Sequence, residues 1–117
     1  MARINYVELP VADTAVARSF YEVAFGWLMS AFGPTYAATT TGDVDLGLQG
    51  DAAEATQAPL PVIDVEGLDA WPAKVEAAGG TVVRPIFAFP GGRRFHFRDP
   101  SGNELAVVEA DRPVTSH

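Results

Sequence analysis

Apolar and polar residues alternate along Ile4-Asn5-Tyr6-Val7-Glu8-Leu9-Pro10-Val11, placing Val7, Leu9 and Val11 on one face and Tyr6, Glu8 and Pro10 on the other. A period of two predicts a half-buried strand. Pro10 donates no backbone hydrogen bond and marks a strand end or a sheet edge. The period then lengthens. Val16, Phe20, Val23 and Ala24 recur at helical spacing between Asp13, a good N-cap, and Gly26, a good C-cap, so a helix is expected over about 13–25. Phe20 and Phe25 are expected in the core. Short strands are expected over Trp27–Ala31, Tyr36–Thr40 and Val44–Leu48, punctuated by Gly33-Pro34 and Gly42-Asp43. Residues 50–59 are small, polar and aperiodic, and read as a linker.

The second half repeats the order. A strand is expected over Leu60–Val65. A helix follows, capped by Asp69 and running through Ala78, with Pro72 tolerated in its first turn and Gly79-Gly80 ending it. Strands are expected at about 81–84, 93–98 and 104–109, joined by Pro90-Gly91-Gly92 and by Asp99-Pro100-Ser101-Gly102. Val11 leads into a helix ending at Gly26, and Val65 into one ending at Gly80. The repeat is architectural, because identity between the halves is weak. It predicts one domain over 1–117, made of a first β-α-β-β-β module at about 1–50, the linker, and a second module at about 60–112. Each module needs a mate to bury its sheet, so the two should pair.

Composition narrows the chemistry. The chain has 117 residues, a net charge of −7 and 48% hydrophobic residues, enough for a packed core. Its acidity disfavours nucleic acid as a partner. Cysteine is absent, which removes disulfides, thiolate metal sites and a cysteine nucleophile. No run approaches the roughly 20 apolar residues of a membrane span, and the N-terminus lacks the long apolar stretch of a secretory signal. A cytoplasmic location, with no membrane partner, is the expectation.

Several runs carry a resemblance: Val7-Glu-Leu-Pro-Val-Ala-Asp13, Ser19-Phe-Tyr-Glu22, Phe25-Gly-Trp27, Ala77-Ala-Gly-Gly80 and Phe97-Arg-Asp-Pro-Ser-Gly-Asn-Glu-Leu105. Over nearly its whole length the chain resembles the vicinal oxygen chelate superfamily. That group includes glyoxalase I, extradiol dioxygenases, fosfomycin-resistance enzymes and bleomycin-binding proteins. The resemblance implies an α+β fold of two β-α-β-β-β modules pairing around a cleft. It also implies a homodimer. The family's four metal-ligand positions align with Tyr6, Gly47 (or, with a slip of two, Asp45), Leu60 and Ala106. None of Tyr6, Gly47, Leu60 and Ala106 is a usual ligand, since the family site uses imidazoles and carboxylates. The chain has two histidines, one of them its last residue, His117. The usual metal and any other cofactor are therefore not expected. Glyoxalase I activity is not expected either, because nothing at these positions would polarise the substrate's oxygens.

With Tyr6 and Ala106 facing the cleft, strand alternation adds Glu8 beside Tyr6, and Glu104 and Val108 beside Ala106. On the neighbouring strand it selects Arg94, His96 and Arg98, and sends Phe95, Phe97, Leu105 and Val107 to the helix side. Tyr6, Trp27, Phe32, Tyr36, Phe87 and Phe89 offer aromatic area. The expected ligand-binding residues are thus Tyr6, Glu8, Asp45, Arg94, His96 and Ala106, suited to a planar or anionic small molecule. The reading is a small-molecule binding protein of the bleomycin-resistance type that works without the family's metal. The alternative is a lyase or isomerase in which His96 acts with Glu8 or Tyr6 as acid and base. A metal displaced onto Glu8, Asp45 and His96 is a further alternative. A salt bridge from Glu8 to Arg94 or Arg98 is the plainer use of those charges.

Overall fold

Asp13 behaves as its position predicts. Its Oδ1 accepts from the Val16 N–H at 3.1 Å and opens helix α1 (Thr14–Phe25). Gly26, at φ +72°, closes that helix by donating to the Glu22 carbonyl at 2.9 Å. The strand before it, β1, spans Arg3–Pro10, and β2 (Met29–Ala31), β3 (Tyr36–Thr39) and β4 (Asp45–Gln49) follow. The computed structural model describes residues 1–111. His117 and the expected module end at 112 lie outside them.

The chain divides into two compact units, Asn5–Pro61 and Val62 onward with Met1–Ile4. In the N-terminal unit the strand order is β2-β3-β4-β1. Strands β2, β3 and β4 run antiparallel, and β1 joins β4 in parallel with Glu8 opposite Gly47. The C-terminal unit repeats this with β5 (Leu60–Asp64), α2 (Trp71–Ala77), β6 (Thr81–Phe89), β7 (Gly92–Arg98) and β8 (Glu104–Ala110). Its order is β5-β8-β7-β6, with β5 parallel to β8 and the other pairs antiparallel. The architecture is α+β, built of two β-α-β-β-β modules.

The core of the C-terminal unit sits where alternation placed it. Phe95 and Val107 are buried with Val65 and Leu68, and Ile63, Trp71, Val75, Val82, Ile86 and Phe97 pack around them. Trp71 also donates its indole N–H to the Glu66 carbonyl at 3.0 Å. Asp69 does not cap the helix. It accepts two bonds from Arg93 at 3.1 Å, while Glu109 of β8 accepts from the Gly67 and Leu68 N–H groups at 3.0 and 3.4 Å. A single turn over Leu68–Ala70 precedes α2, and it is a carboxylate distant in sequence that fastens its start. Strand β6 runs to Phe89, well past the expected end at 84, because irregularities at Val82/Arg84 and Arg84/Phe87 absorb Pro85 without ending the pairing.

The N-terminal unit corrects one expectation. Phe20 and Phe25 are not core; Val16, Phe20, Val23 and Phe25 are all exposed, and the only buried residue of α1 is Thr14. The cause is a polar anchor. Thr14 Oγ1 donates to the Thr35 carbonyl at 2.8 Å, and Gly50 leaves the space that the Thr14 hydroxyl needs. Held there, the helix turns Thr14, Ala17 and Tyr21 inward and its Val16-Phe20-Val23 stripe outward.

Candidate functional site

The face of β6, β7 and β8 opposite this core gathers the chemistry of the C-terminal unit. The hairpin at its end is pinned by Asp99. Asp99 Oδ1 accepts from the Ser101 and Asn103 N–H groups, each at 2.9 Å, and Oδ2 accepts from the Asn103 amide at 3.0 Å. These bonds hold its carboxyl below the usual carboxylate range. The turn fixes the β7–β8 register, which sets His96 opposite Ala106, Arg98 opposite Glu104 and Arg94 opposite Val108. On the other side, β6 sets Arg84 opposite His96 and Phe87 opposite Arg94. Three residues of β6 therefore span two of β7. That bulge lets Arg84 and Phe87 share a face that strict alternation would deny one of them.

His96 lies at the centre, 2% exposed. Its Nδ1 is 2.7 Å from Glu104 Oε2. A carboxylate only accepts, so the proton sits on Nδ1 and the lone pair on Nε2. Nε2 is buried and has no hydrogen-bond partner among the described residues. Burial lowers the His96 pKa, the bond to Glu104 works against that, and the Arg94 and Arg84 charges lower it further. The imidazole is therefore neutral near pH 7. Glu104 also meets Arg98, with 3.7 Å between Oε1 and Nη2. The Phe87 ring lies 5.8 Å from the imidazole. The Arg84 guanidinium lies 3.6 Å from the centre of that ring, and Arg94 lies 5.4 Å from the centres of both Phe87 and Phe89. Ala106, fully buried opposite His96, leaves the imidazole uncrowded from β8.

A second polar cluster belongs to the N-terminal unit. The Tyr6 and Tyr36 hydroxyls are 2.5 Å apart. Glu8, 3% exposed, hydrogen-bonds Tyr36. Burial pushes the Tyr36 hydroxyl far above its ordinary range, and the Glu8 and Tyr6 charges add to that. Both phenols cross the backbone of Gly47, where an added Cβ would collide with both hydroxyls. Two of the four aligned metal positions, Tyr6 and Gly47, thus meet as a phenol lying over a glycine. The other two, Leu60 and Ala106, are fully buried apolar residues. These residues do not fit the family's metal.

Asp45 is taken up elsewhere. Its Oδ1 accepts from the Thr39 hydroxyl and from the Thr41 N–H and hydroxyl, each at 2.8 Å, and its Oδ2 accepts from the Gly42 N–H at 3.0 Å. Partial burial works to raise its pKa, but these bonds outweigh it and hold the carboxyl below the usual range. Asp45 anchors the turn into β4. Among the described residues no group of three or more His, Asp or Glu side chains could hold a metal ion.

Of the residues expected at a site, the structure brings Arg94, His96 and Ala106 onto one face and joins Tyr6 to Glu8 through Tyr36. The nearest acid to His96 is Glu104 on the adjacent strand. Alternation had placed Glu104 on the right face without pairing the two. Arg84 was missed, because Pro85 reads as a strand end. An apolar, aromatic-rich run, Ile86-Phe-Ala-Phe89, continuing past that proline was the available signal.

Two β-α-β-β-β modules with these strand orders define a class. The model of the Glyoxalase/Bleomycin resistance protein/Dioxygenase superfamily matches residues 3–107, and the chain belongs to that family. CFP32 of Mycobacterium bovis, provisionally named a glyoxylase, is 29% identical over 121 residues, covering 94% of this chain and 46% of its own length. The chain thus spans about half the length of the curated relatives it matches. Among solved structures, a methylmalonyl-CoA epimerase from Mycobacterium tuberculosis superposes with a TM-score of 0.70 at 18% identity, over 93% of this chain and 88% of that one. An Mn(II)-bound glyoxalase from Novosphingobium aromaticivorans gives 0.67 at 23%, over 98% and 44%. A superfamily member from Vibrio splendidus gives 0.68 at 18%, over 95% and all of that chain. At these identities the likeness establishes the fold.

Proposed function

We propose that the chain binds a small organic anion on the β6–β7–β8 face of its C-terminal unit, without the family's usual metal. The observation that carries this reading is His96. Glu104 fixes its tautomer and orientation, and its Nε2 lone pair is buried without a partner. A ligand O–H or N–H would satisfy that lone pair, which is otherwise costly to bury. Arg84 and Arg94, stacked on Phe87, would supply charge for a carboxylate or phosphate and a flat apolar wall for a planar group. Ligand pockets combine an apolar lining with a few oriented polar groups in this way. A cytoplasmic setting suits a cysteine-free chain. Among the described residues no helix is long and apolar enough to cross a membrane.

A second reading rests on the same dyad. A neutral imidazole backed by a carboxylate is a general base. Nε2 would take a proton from one atom of the substrate and return it to another. Such an isomerisation balances without any co-reactant.

Thermal-shift titration with benzoate, salicylate and phenyl phosphate tests the binding. Stabilisation should grow as RT ln(1 + [L]/Kd) with at least one probe, and should disappear in Arg94→Gln and His96→Ala. No shift up to tens of millimolar, or a shift that survives both substitutions, overturns the proposal. Incubating a carboxylate probe that carries an acidic C–H, such as mandelate, in D2O separates the two readings: deuterium enters carbon only where His96 moves protons, and not in His96→Ala.

A further inference from the structure

The two units repeat one architecture but fill it differently, and register sets their corresponding positions. In the C-terminal unit His96 lies opposite Ala106, and Ala106 opposite Val62. In the N-terminal unit Ala38 lies opposite Gly47, and Gly47 opposite Glu8. Ala38 therefore corresponds to His96, and its neighbours Ala37 and Thr39 stand where the other unit has Phe95 and Phe97. Those two phenylalanines fill the helix side of their sheet, with ring centroids 6.3 Å apart. On the helix side of β3 an alanine and a threonine leave that space to other groups. The space over Ala37 is closed, since Ala37 is fully buried. The space beside Thr39 is not: it opens as a groove of about 640 Å³.

That volume lies within the range of small-molecule sites. Val7 and Leu46, paired on β1 and β4, line the groove from the sheet, and Trp27, Leu28 and Val44 line it from the loops before β2 and β4. The three loop residues are 40%, 89% and 54% exposed. The Trp27 wall is preorganised. Its ring stacks on Tyr21 and on Phe25, with centroids 5.8 and 5.0 Å away, so little freedom is lost when a ligand meets it. The polar groups of the lining are already engaged. The Asp45 carboxylate accepts four hydrogen bonds, from the Thr39 hydroxyl, the Thr41 N–H and hydroxyl and the Gly42 N–H. The Thr39 hydroxyl also accepts from the Leu46 N–H at 3.0 Å. Among the described residues lining the groove there is no lysine, arginine or histidine.

We infer that this groove binds a neutral aromatic molecule, whose ring takes the place that the Phe97 ring holds in the other unit. The repeat argues for a ring of that kind, because the same sheet position is filled by one where the sequence supplies it. Trp27 argues for it again, since an aromatic ligand adds stacking to the area it buries against Leu28 and Val44. Charge excludes the ionic alternatives. An anion would meet the Asp45 carboxylate with no cation to pair with, on a chain of net charge −7. A cation would find that carboxylate already saturated by donors. The groove thus differs in kind from the His96 face, where Arg84 and Arg94 favour an anion, and it belongs to the other unit.

Titration of the full chain with indole, followed by 1H–15N NMR, tests the inference. Saturable shifts should appear at the Trp27 indole N–H and at the Leu28 and Val44 amides, with a Kd at or below ~1 mM, while the Arg94 and His96 amides stay in place. At the same three groups the charged analogue indole-3-acetate should bind at least ~10-fold more weakly. Val44→Phe puts a ring of the protein's own into the groove and should weaken indole at least ~10-fold, with unchanged far-UV circular dichroism because Val44 is exposed and precedes its strand. Leu28→Ala, which removes an exposed wall instead, should weaken it at least ~3-fold and carries the test if Val44→Phe folds poorly. The inference is overturned by the absence of saturable shifts up to ~10 mM indole, by equal affinity for indole-3-acetate, or by binding that survives both substitutions. An affinity that falls as the protein concentration rises would show that a second copy fills the groove, and overturns it too.

Discussion

Replacing Gly47 with alanine should destabilise the protein far more than one methyl group normally does. The added Cβ would coincide with space held by the Tyr6 and Tyr36 hydroxyls. Neither neighbour can yield freely. Tyr36 is bonded to both Tyr6 and Glu8, and Glu8 is buried. Swinging the phenols away costs the Tyr6–Tyr36 bond and strains the Tyr36–Glu8 bond, each worth about 1 kcal/mol net. Overpacking a buried site adds about 1–3 kcal/mol. The expected loss is therefore about 2–4 kcal/mol. With a urea m-value of about 1–2 kcal/mol/M, the unfolding midpoint should fall by about 1–4 M at constant m. The cause can be isolated. Tyr6→Phe removes one of the colliding oxygens, so Gly47→Ala should cost less in that background, and the cycle should show coupling above ~0.5 kcal/mol. A Gly47→Ala midpoint within ~0.3 M of wild type, or strict additivity with Tyr6→Phe, would refute the claim that the phenols fill this position.

Stability should also depend on His96. Its folded pKa lies below the ordinary value of about 6.5, so below that pH the unfolded chain binds a proton that the folded chain resists. Stability should fall as pH drops through ~6.5 toward the lower folded pKa. His96→Gln should flatten this slope in urea titrations between pH 5 and 7, and an unchanged slope would count against a buried neutral imidazole. Asp13→Ala removes the bond to the Val16 N–H and should cost about 1 kcal/mol by the same assay; a loss below a few tenths would mean that Thr14 alone fixes the helix start. Protein purified without chelator, supplied with Ni, Zn, Mn and Fe and then desalted, should retain well under one metal per chain by elemental analysis. Stoichiometric retention would show that donors outside the four aligned positions assemble a site.

Much of the fold was legible because it rests on local chemistry. Asp13 and Gly26 bracket α1 whatever packs around them, since both bonds close within a few residues. The Asp99–Asn103 turn is equally local, and it fixes the register that sets His96 opposite Ala106. Period-two alternation then separated Phe95 and Val107 from Arg94 and His96 without reference to the rest of the chain. The first helix shows the limit of such reading. Val16, Phe20 and Val23 have the spacing of a buried stripe, and spacing says only that they share a side. Which side faces the sheet was decided by a hydroxyl reaching a carbonyl across 21 positions.

The site divides in the same way. Sequence alone determined the family, the absence of usual ligand types at Tyr6, Gly47, Leu60 and Ala106, and the face that His96 shares with Arg94, because residue identity and strand period suffice for these. Tertiary structure decided that Glu104 holds His96, that a bulge brings Arg84 onto the same face, that Tyr36 rather than a ligand atom lies over Gly47, and that Asp45 serves a turn. Most of those facts depend on which positions of different strands are set side by side. Such juxtapositions follow from register, bulges and anchoring bonds, which a pattern along one chain does not contain.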